Sequence, residues 1–116
     1  MNYPATRANI QAAESREQQS LANYEKSVLA ALKDVEDALA SYTREKQRLG
    51  SLGGAAEANR RALELATLRY DKGLSNFLDV LDAQRSLYSS EDALTQSRGN
   101  VNTYLVSLYK ALGGGW

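Results

Sequence analysis

Residues 70–76 read Tyr-Asp-Lys-Gly-Leu-Ser-Asn and carry the strongest turn signal in the chain. Gly73 is the residue type that most readily adopts the left-handed backbone conformation that ends a helix. Asn76, three residues before Asp79, resembles a helix N-cap followed by an acidic third residue, a pattern typical of a helix start. The stretch therefore predicts two helices joined by a tip turn over residues 70–75.

Before this turn, apolar side chains recur every seven residues. One column consists of Leu21, Val28, Val35, Tyr42, Leu49, Ala56, Leu63 and Tyr70, and a second consists of Tyr24, Ala31, Ala38, Leu52 and Ala66, with Glu45 and Asn59 as polar exceptions. Heptads sustained over this length favour coiled-coil packing. Because the register crosses Gly50, Gly53 and Gly54 without a change of phase, the pattern predicts a single long helix over residues 8–69.

After the turn a second heptad column begins. It consists of Val80, Leu87, Leu94, Val101 and Leu108, flanked by Phe77, Leu105 and Leu112, with Gln84, Glu91 and Arg98 completing the flanking column. This pattern predicts a second helix over residues 76–112, followed by a Gly-rich tail over residues 113–116. The second helix is shorter than the first, so residues 8–32 are expected to extend beyond the paired region.

The fold class predicted from these patterns is all-α: a long antiparallel coiled-coil helical hairpin with unequal arms. A break near Gly50–Gly54 gives the alternative, a three-helix bundle in which the overhang folds back. The overhang carries its own apolar residues, and a lone amphipathic helix is only marginally stable in water. We therefore expect it to pair with another chain, by self-association of the isolated fragment, or with a missing part of a longer protein.

Composition excludes several classes of function. The 116 residues contain 14 basic and 14 acidic side chains, no His and no Cys. A balanced charge predicts no nucleic-acid partner, and without His, Cys or a nucleophile beside a base we expect no catalytic site, no metal site, no cofactor and no enzyme. No apolar run approaches the ~20 residues of a membrane span, and the first residues do not resemble a signal peptide. This chain by itself is therefore expected to be soluble.

Three stretches resemble the TolC family of outer-membrane efflux proteins, in particular its OprM-like drug-efflux lipoprotein branch. They are Val28–Leu39, the segment from Arg69 to Arg85 around the tip, and Leu108–Trp116. Their order and spacing together are far more specific than any one of them alone. The resemblance covers nearly the whole chain and identifies it as the C-terminal periplasmic helical hairpin of such a protein.

This resemblance implies a role in transport. In that family a homotrimer forms an outer-membrane β-barrel that continues into a periplasmic α-barrel, a passive duct through which drugs and other small molecules leave the cell. A periplasmic adaptor protein connects the duct to an inner-membrane pump. The chain has neither the signal sequence, the lipidated Cys, the strands nor the first repeat of a complete member, so we expect it to be a fragment. A generic coiled-coil interaction or scaffold module is the alternative function.

The resemblance also assigns roles near the tip. Asp82 matches a carboxylate that lines the periplasmic entrance, and Leu78 matches an apolar ring beside it. Asp79 matches the same region, but a role as a capping charge at the helix start is the favoured explanation. Tyr70 matches a tyrosine that holds the mouth closed, and a core role as the last member of the first seam explains it equally well. The tip-turn residues, which this resemblance places near the adaptor, are Asp71, Lys72, Gly73, Leu74 and Ser75.

Overall fold

The computed structural model describes the backbone of residues 3–113 and the side chains of residues 4–113. It contains two helices, α1 (Tyr3–Asp71, 69 residues) and α2 (Phe77–Gly113, 37 residues). The predicted all-α hairpin with unequal arms is confirmed. α1 begins before the expected residue 8, since Pro4 is well tolerated in the first turn of a helix. The remainder of the predicted tail, residues 114–116, lies outside the described residues.

α1 continues without interruption through Gly50, Gly53 and Gly54. Each glycine inside a helix costs roughly 1 kcal/mol relative to alanine. Apolar seam residues stand on both sides of the cluster, and Leu49, Leu52 and Ala56 are half-buried or buried there. Packing along this seam offsets the cost, so the structure is the hairpin and not the three-helix bundle.

The chain divides into two compact units, unit 1 (Met1–Asp37) and unit 2 (Ala38–Trp116). In unit 1, every described side chain is exposed except that of Val35, which is half-buried. The apolar residues of the predicted overhang are among the exposed ones: Ile10, Leu21, Tyr24, Val28, Leu29 and Leu32. Unit 1 thus carries an apolar surface along a single helix.

In unit 2, the α1 side of the seam follows the predicted heptads. The half-buried or buried members are Ala38, Tyr42, Glu45, Leu49, Leu52, Ala56, Asn59, Leu63 and Ala66. The polar exceptions, Glu45 and Asn59, lie inside this seam and not beside it. Of the predicted seam residues of α1 in this unit, only Tyr70, at the tip, is exposed, at 44% of its full accessibility.

The α2 side of the seam differs from the prediction in its second column. Val80 and Leu87 are buried as expected, but three residues assigned to the flanking column are exposed, namely Phe77, Arg98 and Leu112. A column one residue earlier is half-buried or buried throughout, namely Ala83, Ser90, Ser97, Tyr104 and Ala111. Four of its five members are small, which allows the two backbones to approach closely. The apolar pattern alone missed it because two members are serines.

Replacing Gly50 and Gly54 together with alanine is expected to stabilise the hairpin. A Cβ atom at either position would have no heavy atom within 4 Å apart from its chain neighbours and the backbone of its own helix, so the helix propensity gain of up to about 1 kcal/mol per site is not offset by a clash. Thermal unfolding followed by circular dichroism should show a higher midpoint. The matched control is Gly73→Ala, which should lower the midpoint because Gly73 has a φ of 74°.

Candidate functional site at the helix turn

The tip is built by a glycine-dependent helix ending. The N–H of Leu74 donates to the carbonyl of Arg69 at 2.8 Å, and the N–H of Gly73 donates to the carbonyl of Tyr70 at 2.9 Å. This pair of bonds, with Gly73 in the left-handed region, is the Schellman arrangement. It satisfies carbonyls that the end of α1 would otherwise leave without partners, so the direction of the chain after α1 is fixed.

The start of α2 is capped as the sequence predicted. The side-chain oxygen of Asn76 accepts a hydrogen bond from the backbone N–H of Asp79 at 3.3 Å. Asp79 therefore stands at the third position of the helix, where its carboxylate lies near the positive end of the helix dipole. This geometry supports a capping contribution from Asp79.

Two aromatic rings close the hairpin behind the turn. The rings of Tyr70 and Phe77 pack with their centroids 5.2 Å apart and their planes inclined by 57°. Tilted aromatic pairs of this kind contribute roughly 0.5–1.5 kcal/mol beyond the area they bury. Within this chain Tyr70 therefore helps to hold the two arms together at the tip.

An open groove of about 280 Å³ lies beside the turn. It is lined by Ala62, Leu65, Ala66, Arg69, Ser75 and Asp79. The hydroxyl oxygen of Ser75 is enclosed there and has no hydrogen-bond partner in the part of the chain that the structure describes. Two residues singled out from the sequence, Ser75 and Asp79, thus meet at one groove. Sequence reasoning missed Arg69 as a lining residue, although its place in the last turn of α1 was a usable signal.

Leu78 and Asp82 occupy a different part of the tip. Leu78 is 56% exposed, and Asp82 is exposed one helical turn later. Ser89, Gln96 and Thr103 continue the column of Asp82 and are exposed as well. Among residues 4–113, neither Asp79 nor Asp82 forms an ion pair. The site is therefore a polar strip on α2 with one apolar residue at its start.

The described residues contain no cluster of three or more His, Cys, Asp or Glu side chains that could hold a metal ion. Of the two described helices, neither has a stretch apolar enough over a sufficient length to span a bilayer. The tip is thus characterised by its shape and by the side chains it exposes.

Comparisons with known proteins place this hairpin in a family. Residues 2–114 match the family described as "Outer membrane efflux protein". The chain is 39% identical over 110 residues to the outer membrane protein OprJ of Pseudomonas aeruginosa, with 95% of this chain and 23% of OprJ covered. It is also 39% identical over 115 residues to the solvent efflux pump outer membrane protein SrpC of Pseudomonas putida, covering 99% of this chain and 24% of SrpC.

The chain is also similar in fold and in sequence to two solved structures. The outer-membrane channel OprN superposes with a TM-score of 0.70 at 38% identity, with 97% of this chain and 25% of OprN covered. A membrane protein from Pseudomonas aeruginosa gives a TM-score of 0.71 at 37% identity, with 100% of this chain and 26% of that protein covered. The chain spans about a quarter of the length of the relatives it matches. The match over residues 2–114, together with these relatives, shows that the chain belongs to the outer membrane efflux protein family.

Proposed function

We propose that this hairpin forms part of the periplasmic entrance of a trimeric export duct in the outer membrane. In the complete protein the duct is a passive conduit for drugs or other small molecules, and an inner-membrane pump supplies the energy. The observation that carries the proposal is the capped tip, which exposes Leu78 and Asp82 on one face of α2 in a chain of this family. OprN is itself described as an outer-membrane channel.

The exposed polar strip has the chemistry of a duct lining. Three copies of Asp82 around a threefold axis would form a ring of negative charge, and such rings attract cations in narrow pores. Leu78, one turn earlier, would form an apolar ring that excludes water from a closed mouth. Within one chain, Asp82 forms no ion pair among the described residues, so its charge is available to the solvent or to a pore.

The tip turn is the proposed contact with the periplasmic adaptor. Asp71, Lys72, Gly73 and Leu74 are all exposed at the end of the hairpin. The neighbouring groove supplies small side chains, Ala62 and Ala66, together with charged groups on Arg69 and Asp79. A groove of this kind suits an inserted loop or helix end of a partner protein.

Replacing Asp82 with asparagine in the full-length parent channel tests the duct proposal. Removal of three carboxylates from a narrow mouth should weaken block by multivalent cations at least about tenfold, because each lost charge removes a Coulomb attraction at short range. Single-channel recordings in planar bilayers measure both the block and the conductance. Asparagine preserves the size of the side chain, so a change reports on charge.

The matched control is Glu64→Gln, which removes the same charge from the exposed side of α1. Its cation block should equal that of the unmodified channel. If Asp82→Asn also leaves block and conductance unchanged, Asp82 does not line the pore. The second candidate, a generic coiled-coil interaction module, is favoured by the exposed apolar surface of unit 1 and would be supported if the full-length parent gave no channel currents at all.

A further inference from the structure

Two polar layers interrupt the apolar seam of unit 2. In the first, named the Glu45 layer, the carboxylate of Glu45 accepts hydrogen bonds from Ser97 at 2.9 Å, Asn100 at 3.3 Å and Arg48 at 3.4 Å. In the second, named the Asn59 layer, the side-chain amide of Asn59 donates to the hydroxyl of Ser90 and, at 3.3 Å, to the carbonyl of Ser86. Each layer therefore joins α1 to α2 through side-chain hydrogen bonds of defined geometry.

The Glu45 layer is deeply placed. Ser97 has no exposed surface, and Glu45 retains only 8% of its accessibility. Burial of a carboxylate is unfavourable unless its oxygens are hydrogen-bonded, and here three donors converge on one oxygen. Apolar residues at these positions would pack with no such cost, so stability alone does not explain the layer.

The rest of the seam discriminates poorly between alternative pairings. Many of its members are small: Ala38, Ala56, Ala66, Ala83 and Ala111 are half-buried or buried there. Small apolar side chains fit many partners equally well, and the turn at Gly73 ties the arms together at one end only. Hydrogen bonds between single pairs of residues are directional, and a buried polar residue in a coiled-coil seam is known to specify register at a cost in stability.

We infer that the Glu45 and Asn59 layers fix the register in which the two arms pair. They hold α2 against α1 at one axial position and with the Ala83 column inward. Any other register leaves a carboxylate or an amide in an apolar seam without a partner. The salt bridge between Arg60 and Glu91, at 3.4 Å, lies one residue further along each helix and adds a charge pair to the same register.

The decisive variant replaces both layers with apolar pairs: Glu45→Leu with Ser97→Ala, and Asn59→Leu with Ser90→Ala. Because the chain has no cysteine, spin labels can be attached uniquely at Ala58→Cys and Asp92→Cys, two exposed positions outside both layers and outside the Arg60–Glu91 pair. Pulsed electron spin resonance should give one narrow distance in the unmodified chain. In the variant, a broadened or second distance is expected, since a slip of one heptad moves the arms by about 10 Å.

Two further variants make the outcome interpretable. The control Gln47→Leu, Gln96→Ala, Glu64→Leu and Ser89→Ala removes as many polar groups from exposed positions and should keep the single distance. The exchange Glu45→Ser with Ser97→Glu keeps a carboxylate and a hydroxyl facing each other and should keep the single distance too. A layer-free chain that retains one narrow distance would overturn the inference, as would equal broadening in the exposed control. Each layer is also removed on its own. If the quadruple variant folds poorly, the two double variants still show whether the register has changed.

Discussion

Leu87→Ala is expected to lower the free energy of unfolding of unit 2 by about 2 kcal/mol or more. Leu87 retains only 7% of its accessibility and is the second of the five members of the α2 column. Removal of a buried leucine side chain generally costs 2–5 kcal/mol, through lost burial and the cavity that remains. In a two-helix seam the neighbours can collapse into part of that cavity, which places the value toward the lower end. Urea unfolding followed at 222 nm measures it.

Tyr88→Ala provides the comparison, since Tyr88 is the next residue along the helix and is 61% exposed. Surface substitutions usually change stability by no more than about 0.5 kcal/mol. A loss at Tyr88 as large as that at Leu87 would mean that the buried face of α2 has been assigned wrongly. Unfolding should be repeated at several protein concentrations, because the exposed apolar surface of unit 1 favours association.

The fold could be predicted from the sequence because three independent signals agree. The seven-residue apolar period predicts the two helices and the seam between them, and Gly73 with Asn76 predicts the turn. The unbroken register across Gly50–Gly54 predicts one continuous helix, although the glycine content of this stretch suggests a break. The seven-residue apolar period did not predict the second buried column of α2. Ser90 and Ser97 are polar by type and become seam residues only because Asn59 and Glu45 lie opposite them.

The candidate site could be predicted only in part. The turn and its cap depend on residues close in sequence, so Gly73, Asn76 and Asp79 were identifiable directly. The groove is lined by Ala62 and Arg69 of α1, by Ser75 of the turn and by Asp79 of α2. It therefore forms only when the two arms pack against each other. A pore needs several hairpins, so the roles of Leu78 and Asp82 in it remain a proposal based on resemblance.

Removing one member of the Glu45 layer is expected to be more harmful than removing both. Ser97→Ala should lower the free energy of unfolding by about 1–3 kcal/mol, because a largely buried carboxylate loses a donor. Glu45→Leu alone should cost a similar amount, since the fully buried hydroxyl of Ser97 is left without an acceptor. The two single variants are measured by urea unfolding beside the exposed control Gln96→Ala, which should be nearly neutral.

The double variant Glu45→Leu with Ser97→Ala separates hydrogen bonding from packing. Replacing both partners with apolar groups removes the desolvation cost together with the bond, and such exchanges are often neutral or stabilising. The double variant should therefore be more stable than the sum of the two single losses predicts, with a coupling of at least about 1 kcal/mol. Strictly additive losses would mean that Glu45 and Ser97 contribute separately and that their contact is incidental. If the coupling is positive and the double variant also loses its single register, the Glu45 layer lowers the stability of the seam and specifies its pairing.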